Sequence, residues 1–301
     1  MSEYPTEKTM LKDSLQNDLD HFNSLRPQVP VDRRGFIAAA IAAGFAVSAE
    51  PVLAQAIKTP MDGLEGGELK IGDIPAYYAV KKGTGKRPVV IVVPEIFGLH
   101  EYQKDICRRL AKAGYFAVSS DPFFRSGDLS KVADIKEVLK GANALSDQQA
   151  FEDLDKVVAW VEKQPRANAQ KLGLTGHCRG GRMVWMYTAH QKKIDAAVAW
   201  YGPTFAEPTS LKPLNPVEVT DKIDRPVLGL YAGADQGIPM DHVERMRAGL
   251  HAFGNDRKSQ IHVYPDMPHG FHADYRPTYR KEQAEDGWKR MLAWFKKNGV
   301  A

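Results

Sequence analysis

The segment Gly176-His177-Cys178-Arg179-Gly180-Gly181 sets a thiol between glycines two residues to either side. A Gly-x-nucleophile-x-Gly segment between a strand and a helix makes a bend so tight that its flanking positions must be small. The nucleophile is thereby lifted onto the first turn of the helix, where partial positive charge favours thiolate over thiol. The N–H of the next residue, Arg179, points into the same space and can bind a developing oxyanion. Read alone, the segment is either such a nucleophile or a buried cysteine in a glycine-rich turn. Two later segments favour the first reading. Residues 227–235 read as a strand that ends at Asp235, and Pro265-Asp266-Met267-Pro268-His269-Gly270-Phe271 carries a histidine just past another strand. His269 would take the thiol proton and return it to a leaving alcohol, and Asp235 would fix the imidazole tautomer and stabilise its charged form. Glu95 follows the apolar run of residues 89–93, an ionisable group where the strand pattern asks for none. The N–H of Ile96, in the same loop, is the candidate second oxyanion donor.

These residues need a scaffold that brings distant strand ends together, and the rest of the chain supplies the pattern for one. Residues 68–81 read as two short strands around Gly72-Asp73. The β-branched run at 89–93 reads as a strand buried on both faces, as in a parallel sheet. Further strands are expected at 115–120, 171–175, 196–201, 226–231 and 259–264. Helical periodicity marks 100–113, 130–144, 147–163, 180–190, 240–253 and 279–297. Alternation of this kind predicts a mostly parallel, twisted sheet of about eight strands with helices on both faces. The proline-bearing stretch 206–224 reads as a surface loop.

The order Cys178, Asp235, His269 is the nucleophile–acid–histidine order of α/β-hydrolases. Together with Glu95-Ile96-Phe97-Gly98 and His269-Gly270-Phe271, residues 65 to 298 resemble the dienelactone hydrolase family of that fold. The resemblance implies Cys178 as nucleophile, His269 as base, Asp235 as its partner, and a Glu95 that contacts the resting thiol and swings away when substrate binds. It also implies hydrolysis of an enol-lactone or ester with no metal or organic cofactor. The family holds a substrate carboxylate with arginines before the elbow and after the histidine. Here residues 130–163 offer Lys131, Lys136 and Lys140 instead, Ala273 falls where an arginine is expected, and Arg276 lies three residues on. Arg125, Lys136 and Arg276 are therefore the candidate substrate contacts, with lysine a point charge rather than a bidentate fork. His177 reads as packing or support for the site, and Arg182, one helical turn past Cys178, either faces the site or packs the helix. A thioesterase or peptidase using the same three residues, or a binding protein that keeps the pocket without the chemistry, are the competing readings.

Composition bounds the rest. The chain has 301 residues with 43% hydrophobic and 26% charged, an ordinary globular balance, and two cysteines, too few for a disulfide framework. Cys107 reads as helix packing. The net charge of +4 shows no basic stripe, so nucleic acid is not expected as a partner, and monomer and homodimer both stay open. His269-x-x-His272 lacks a third ligand at a supporting spacing, so no metal is expected. Residues 1–56 stand apart from the domain expected over 57–301. Arg33-Arg34, a 12-residue alanine-rich run from Phe36 to Val47 and small residues up to Ala56 have the layout of a twin-arginine export signal, implying a periplasmic or exported protein; without a working signal the protein would be cytoplasmic. The run is too short to serve as a stable membrane span. Without that segment the balance is 36 basic to 30 acidic residues, mildly favourable to an anionic substrate.

Overall fold

The computed structural model describes residues 57–301, so the expected export segment lies outside the described residues. Eight strands form one sheet in the order β1-β2-β4-β3-β5-β6-β7-β8. Strands β1 (Leu64–Ile71) and β2 (Ile74–Lys81) make an antiparallel hairpin, turned at Gly72-Asp73 with Gly72 at φ 65°. That left-handed conformation is the one such a tight hairpin turn requires. β2 pairs antiparallel with β4 (Phe116–Ser120). The rest of the sheet, β3 (Arg87–Val93), β5 (Ala167–His177), β6 (Ala196–Trp200), β7 (Val227–Ala232) and β8 (Gln260–Tyr264), runs parallel with β4. This is the mostly parallel sheet that the strand–helix alternation predicts and the α/β-hydrolase type of fold that the family resemblance implies.

Parallel neighbours require long crossovers, and helices supply them. They are α1 (Glu101–Lys112), α2 (Ile135–Asn143), α3 (Asp147–Glu162), α4 (Arg179–His190), α5 (Met240–Ala252) and α6 (Lys281–Lys297). Residues 89–93 of β3 are all buried between β4 and β5, which is why the run carries no alternation. Each such Val or Ile contributes roughly 1.5–3 kcal/mol relative to an exposed one. α1 stops at Ala113; Gly114, at φ 104°, turns the chain so that Tyr115 N–H reaches Leu110 O at 3.1 Å and β4 can begin.

Three boundaries differ from the sequence reading. The helix expected over 130–144 is a 3-10 turn at Leu129–Lys131 followed by α2, because Asp128 and Asp134 each cap their own helix start. β5 begins at Ala167, before the apolar stretch, through pairing with the first residues of β3. The loop over 206–224 contains a 3-10 helix, Pro216–Lys222, with a capping box between Asn215 and Glu218.

Register fixes what matters for chemistry. Val93 pairs with Gly176, His177 with Trp200, Trp200 with Leu230, and Ala232 with Tyr264. The C-terminal ends of β3, β5, β6, β7 and β8 therefore share one sheet edge. Glu95, Cys178, Asp235 and His269 follow four of those ends, the place where open α/β sheets set their ligands.

Candidate active site

Cys178 sits between β5 and α4 as the helix N-cap, with φ 55° and ψ −121°. A non-glycine residue in such a conformation stores on the order of 1–3 kcal/mol, which the surroundings must hold. They do so through Cys178 N–H to Trp200 O at 3.0 Å and Arg182 N–H to Cys178 O at 3.1 Å. The glycines around it are needed for space. A Cβ on Gly176 would stand 2.6 Å from Gly180 O, and one on Gly181 would stand 2.5 Å from Trp200 O. One on Gly180 would stand 2.6 Å from Pro94 O and closer still to Val93 O.

His269, only 1% exposed, lies behind β8 in the loop that the sequence pattern indicates. Its Nδ1–H donates to Asp235 Oδ2 at 2.6 Å. Asp235 Oδ1 accepts from the N–H groups of Gly237 (2.9 Å) and Ile238 (3.2 Å), so the carboxylate is fully engaged in its turn. The Cys178 side chain hydrogen-bonds the same imidazole. Burial works against a charge on His269, but Asp235 and Cys178 outweigh it and push the imidazole pKa up to about 10. An imidazole held this way is suited to take a thiol proton and keep it, leaving thiolate beside it.

Glu95 is buried in the loop after β3. Its Oε1 accepts from His100 Nε2–H at 3.0 Å and from the Tyr275 hydroxyl, and its Oε2 accepts from Arg276 Nη2 at 3.4 Å. Burial opposes the charge, but the Arg276 guanidinium and the His100 and Tyr275 hydrogen bonds hold the carboxyl well below the usual carboxylate range. Arg276 also donates to the Tyr275 hydroxyl at 2.9 Å and lies over the Phe97 ring. Burial works against the Arg276 charge, but Tyr275, Glu95 and Cys178 together outweigh it and raise its pKa.

The Ile96 N–H donates to no protein group among the described residues. Its side chain and that of Phe97 are anchored in a small apolar cluster with Phe123, Leu129, Val138 and Leu139, which fixes the loop. Gly98, at φ 72°, closes the turn with its N–H on Glu95 O at 3.0 Å, and a Cβ there would meet Asp121 Oδ1 at 2.6 Å. A narrow cavity of about 40 Å³ opens beside Arg179 and Gly180, walled by Pro94, Phe123, Leu154 and Met183.

The remaining expected contacts fall differently. Of the three candidate substrate cations, Arg276 is at the site. Arg125 is bidentate on Asp153 (2.6 and 3.0 Å) and lies over the Phe124 ring, while Lys136 is exposed on the first turn of α2. Arg182 is bidentate on Asp147 (2.6 and 2.8 Å) and donates to Leu214 O at 2.7 Å, tying α4 to α3 and to the loop after β6. His177 stacks against both Trp200 and His272, both ring nitrogens lack a partner, and burial pushes its pKa down to about 3. It is a neutral packing group, not a second base. Cys107 is buried in α1, where burial pushes the thiol pKa far up and makes it inert. His100 escapes the sequence reading, as does the hydrogen bond from Tyr275 to Glu95. The Glu-x4-His spacing that pairs Glu95 with His100 could have flagged only the first of them.

The dienelactone hydrolase family model matches residues 74–299. A protein of Methylorubrum extorquens named a carboxymethylenebutenolidase is 46% identical over 92% of this chain and 97% of its own length. One of the same name from Escherichia coli K12 is 45% identical over 85% of this chain and 96% of its own. A crystal structure from Klebsiella pneumoniae, titled a dienelactone hydrolase, superposes with a TM-score of 0.74 at 43% identity, covering 77% of this chain and 98% of that one. With the fold, the elbow and the matched length together, this chain belongs to the dienelactone hydrolase family and is a hydrolase of that type.

Proposed function

We propose that this hydrolase cleaves a lactone or carboxylic ester through a thioester formed on Cys178. The observation that carries the reading is the continuous relay from Cys178 to His269 to Asp235, set at a helix N-terminus. With Nδ1 given to Asp235, His269 Nε2 is left to take the thiol proton. The thiolate attacks the carbonyl carbon, and the oxyanion is held by the N–H groups of Ile96 and Arg179. Collapse of the tetrahedral adduct breaks the carbon–oxygen bond, and the imidazolium returns its proton to the leaving oxygen. Water, deprotonated by His269, then attacks the thioester, releases the acid and restores the thiol. A thiol nucleophile suits activated esters and enol lactones, whose leaving oxygen needs little acid assistance.

Glu95 and Arg276 set the charge balance around the sulfur. Arg276 favours thiolate, and Glu95 offsets part of that field. A substrate carboxylate that displaced Glu95 from Arg276 would sit close to Cys178, so Arg276 is the contact favoured over Arg125 and Lys136.

The test is turnover of nitrophenyl acetate, a dienelactone and an acyl thioester by the wild type and by Cys178→Ala. Ester and lactone turnover that Cys178→Ala loses is expected. Turnover confined to thioesters would make the protein a thioesterase, and no turnover above that of the alanine variant would make it a binding protein. We also infer that residues 1–56 direct export, on the strength of Arg33-Arg34 and the apolar run behind them. N-terminal sequencing of periplasmic protein should find the segment removed, whereas Met1 on cytoplasmic protein would contradict export.

A further inference from the structure

We propose that His100 is a positioning residue for this reaction, a hydrogen-bond donor that locks Glu95 and the oxyanion loop in their working arrangement. The inference rests on the hydrolase reading above and adds a group to it that is absent from the relay itself.

His100 opens α1, and its side chain is completely shielded from solvent. Nε2 is 3.0 Å from Glu95 Oε1, while Nδ1 is buried with no hydrogen-bond partner. A ring with one acceptor-facing nitrogen and one orphaned nitrogen carries a proton on the nitrogen that faces the acceptor. His100 is therefore oriented to donate from Nε2 to Glu95.

The ring cannot turn away. It stacks on Tyr102 (centroids 6.0 Å, 23° between planes) and takes edge contacts from Phe97 (6.1 Å) and Tyr275 (5.2 Å). Its backbone closes the same loop, with His100 N–H on Gly98 O and Gly98 N–H on Glu95 O, each 3.0 Å. The groups facing it are thus Glu95 and Phe97 from its own loop, Tyr102 from α1, and Tyr275 with Arg276 behind Glu95, while Asp121 after β4 completes the loop by accepting from the N–H of Leu99. Two separate segments hold Glu95: the loop before α1 through His100, and the segment after His269 through Tyr275 and Arg276. His100 is the member that belongs to the loop bearing the Ile96 N–H. Without its donor, Glu95 is held from the far side alone, and the loop loses its one side-chain tie to the carboxylate.

The experiment compares His100→Phe, which keeps an aromatic ring but no donor, with His100→Gln, whose amide can present an N–H toward Glu95. The readouts are kcat and KM on nitrophenyl acetate, thiolate absorbance of Cys178 across pH, and melting temperature. His100→Phe is expected to lose ~10–100-fold in kcat with KM changed less than about threefold, and to shift the thiolate titration, with His100→Gln recovering most of the loss. A folded His100→Phe with wild-type kcat and titration would overturn the proposal. So would a folded His100→Gln as impaired as the Phe variant. If the Phe variant does not fold, His100→Gln against wild type decides alone: retained kcat and titration support the donor role, and their loss at an unchanged melting temperature overturns it. Failure of the hydrolase reading shows separately, as wild-type turnover no greater than that of Cys178→Ala.

Discussion

Adding one methyl group at Gly180 tests whether the elbow is held as tightly as its geometry says. The new Cβ would stand 2.6 Å from Pro94 O and nearer to Val93 O, and both obstacles are backbone, which cannot rotate aside. Relief to even a crowded 3.0 Å contact needs a shift of at least about 0.4 Å against Pro94 and more against Val93. The first turn of α4 must therefore move off the end of β3. Overpacking of this kind costs ~1–3 kcal/mol, while helix propensity favours alanine over glycine by ~1 kcal/mol. The two effects differ in sign, so the observed direction decides between them. We expect Gly180→Ala to melt ~2–8 °C below wild type. The same shift separates the Arg179 N–H from the Ile96 N–H, which sits on the β3 side of the gap. At ~100-fold per ångström of misplacement, kcat on nitrophenyl acetate should fall ~10-fold. Gly85→Ala is the control: its Cβ would meet nothing, and its stability should stay within about 0.5 kcal/mol of wild type. A Gly180→Ala protein that melts at or above the wild-type temperature with undiminished kcat would refute the packing argument.

Asp235→Asn keeps a hydrogen-bonding side chain but removes the charge that raises the His269 pKa, so kcat should drop by ~100-fold or more and alkylation of Cys178 near neutral pH should slow. The same pair has a stability signature: because the folded pKa is raised from 6.5 to about 10, its contribution is fully present below pH 6.5 and is lost as pH rises through 10. Denaturant titrations of Asp235→Asn should lack that decline. Asp121 has the opposite chemistry, since burial raises its pKa from 3.8 to about 6 despite the Phe123 and Leu99 N–H groups it accepts. The folded state then binds the proton more tightly, so stability is greatest below pH 3.8 and falls as pH rises through 6, by on the order of 1–3 kcal/mol. Asp121→Asn should remove this slope and stabilise the protein at pH 7, and an unchanged slope in chemical denaturation would contradict the assignment. Arg182→Met leaves Asp147 buried without its partner, so a loss of ~3 kcal/mol or more is expected in the same assay.

The parts of this molecule legible in the sequence are those that depend on local rules. The run at 89–93 carries its own burial in its composition. The glycines at 176, 180 and 181 announce a bend that only small residues allow, and Asp235 and His269 each follow a strand pattern directly. What stayed hidden depends on distant partners. Arg276 is legible as one of three candidate cations, but its partner Glu95, 181 positions away in the chain, is not. Arg125 and Arg182 carry the same formal charge, yet Asp153 and Asp147 take both, because α3 packs beside them. His100 reads as an ordinary helix-start residue, and only the doubling back of the 95–100 loop turns it onto a carboxylate. The start of α2 was readable in principle: Asp134 two residues before Lys136 is an N-cap signal, but a continuous helical period across 130–144 masks it.

The most direct test of the central claim is rapid-quench mass spectrometry of the wild-type protein mixed with nitrophenyl acetate, followed by peptide mapping. The account expects a transient acetyl group on Cys178, labile to hydroxylamine and longer-lived in Asp235→Asn. An acetyl group on any other residue, or undiminished steady-state turnover by Cys178→Ala, would contradict it.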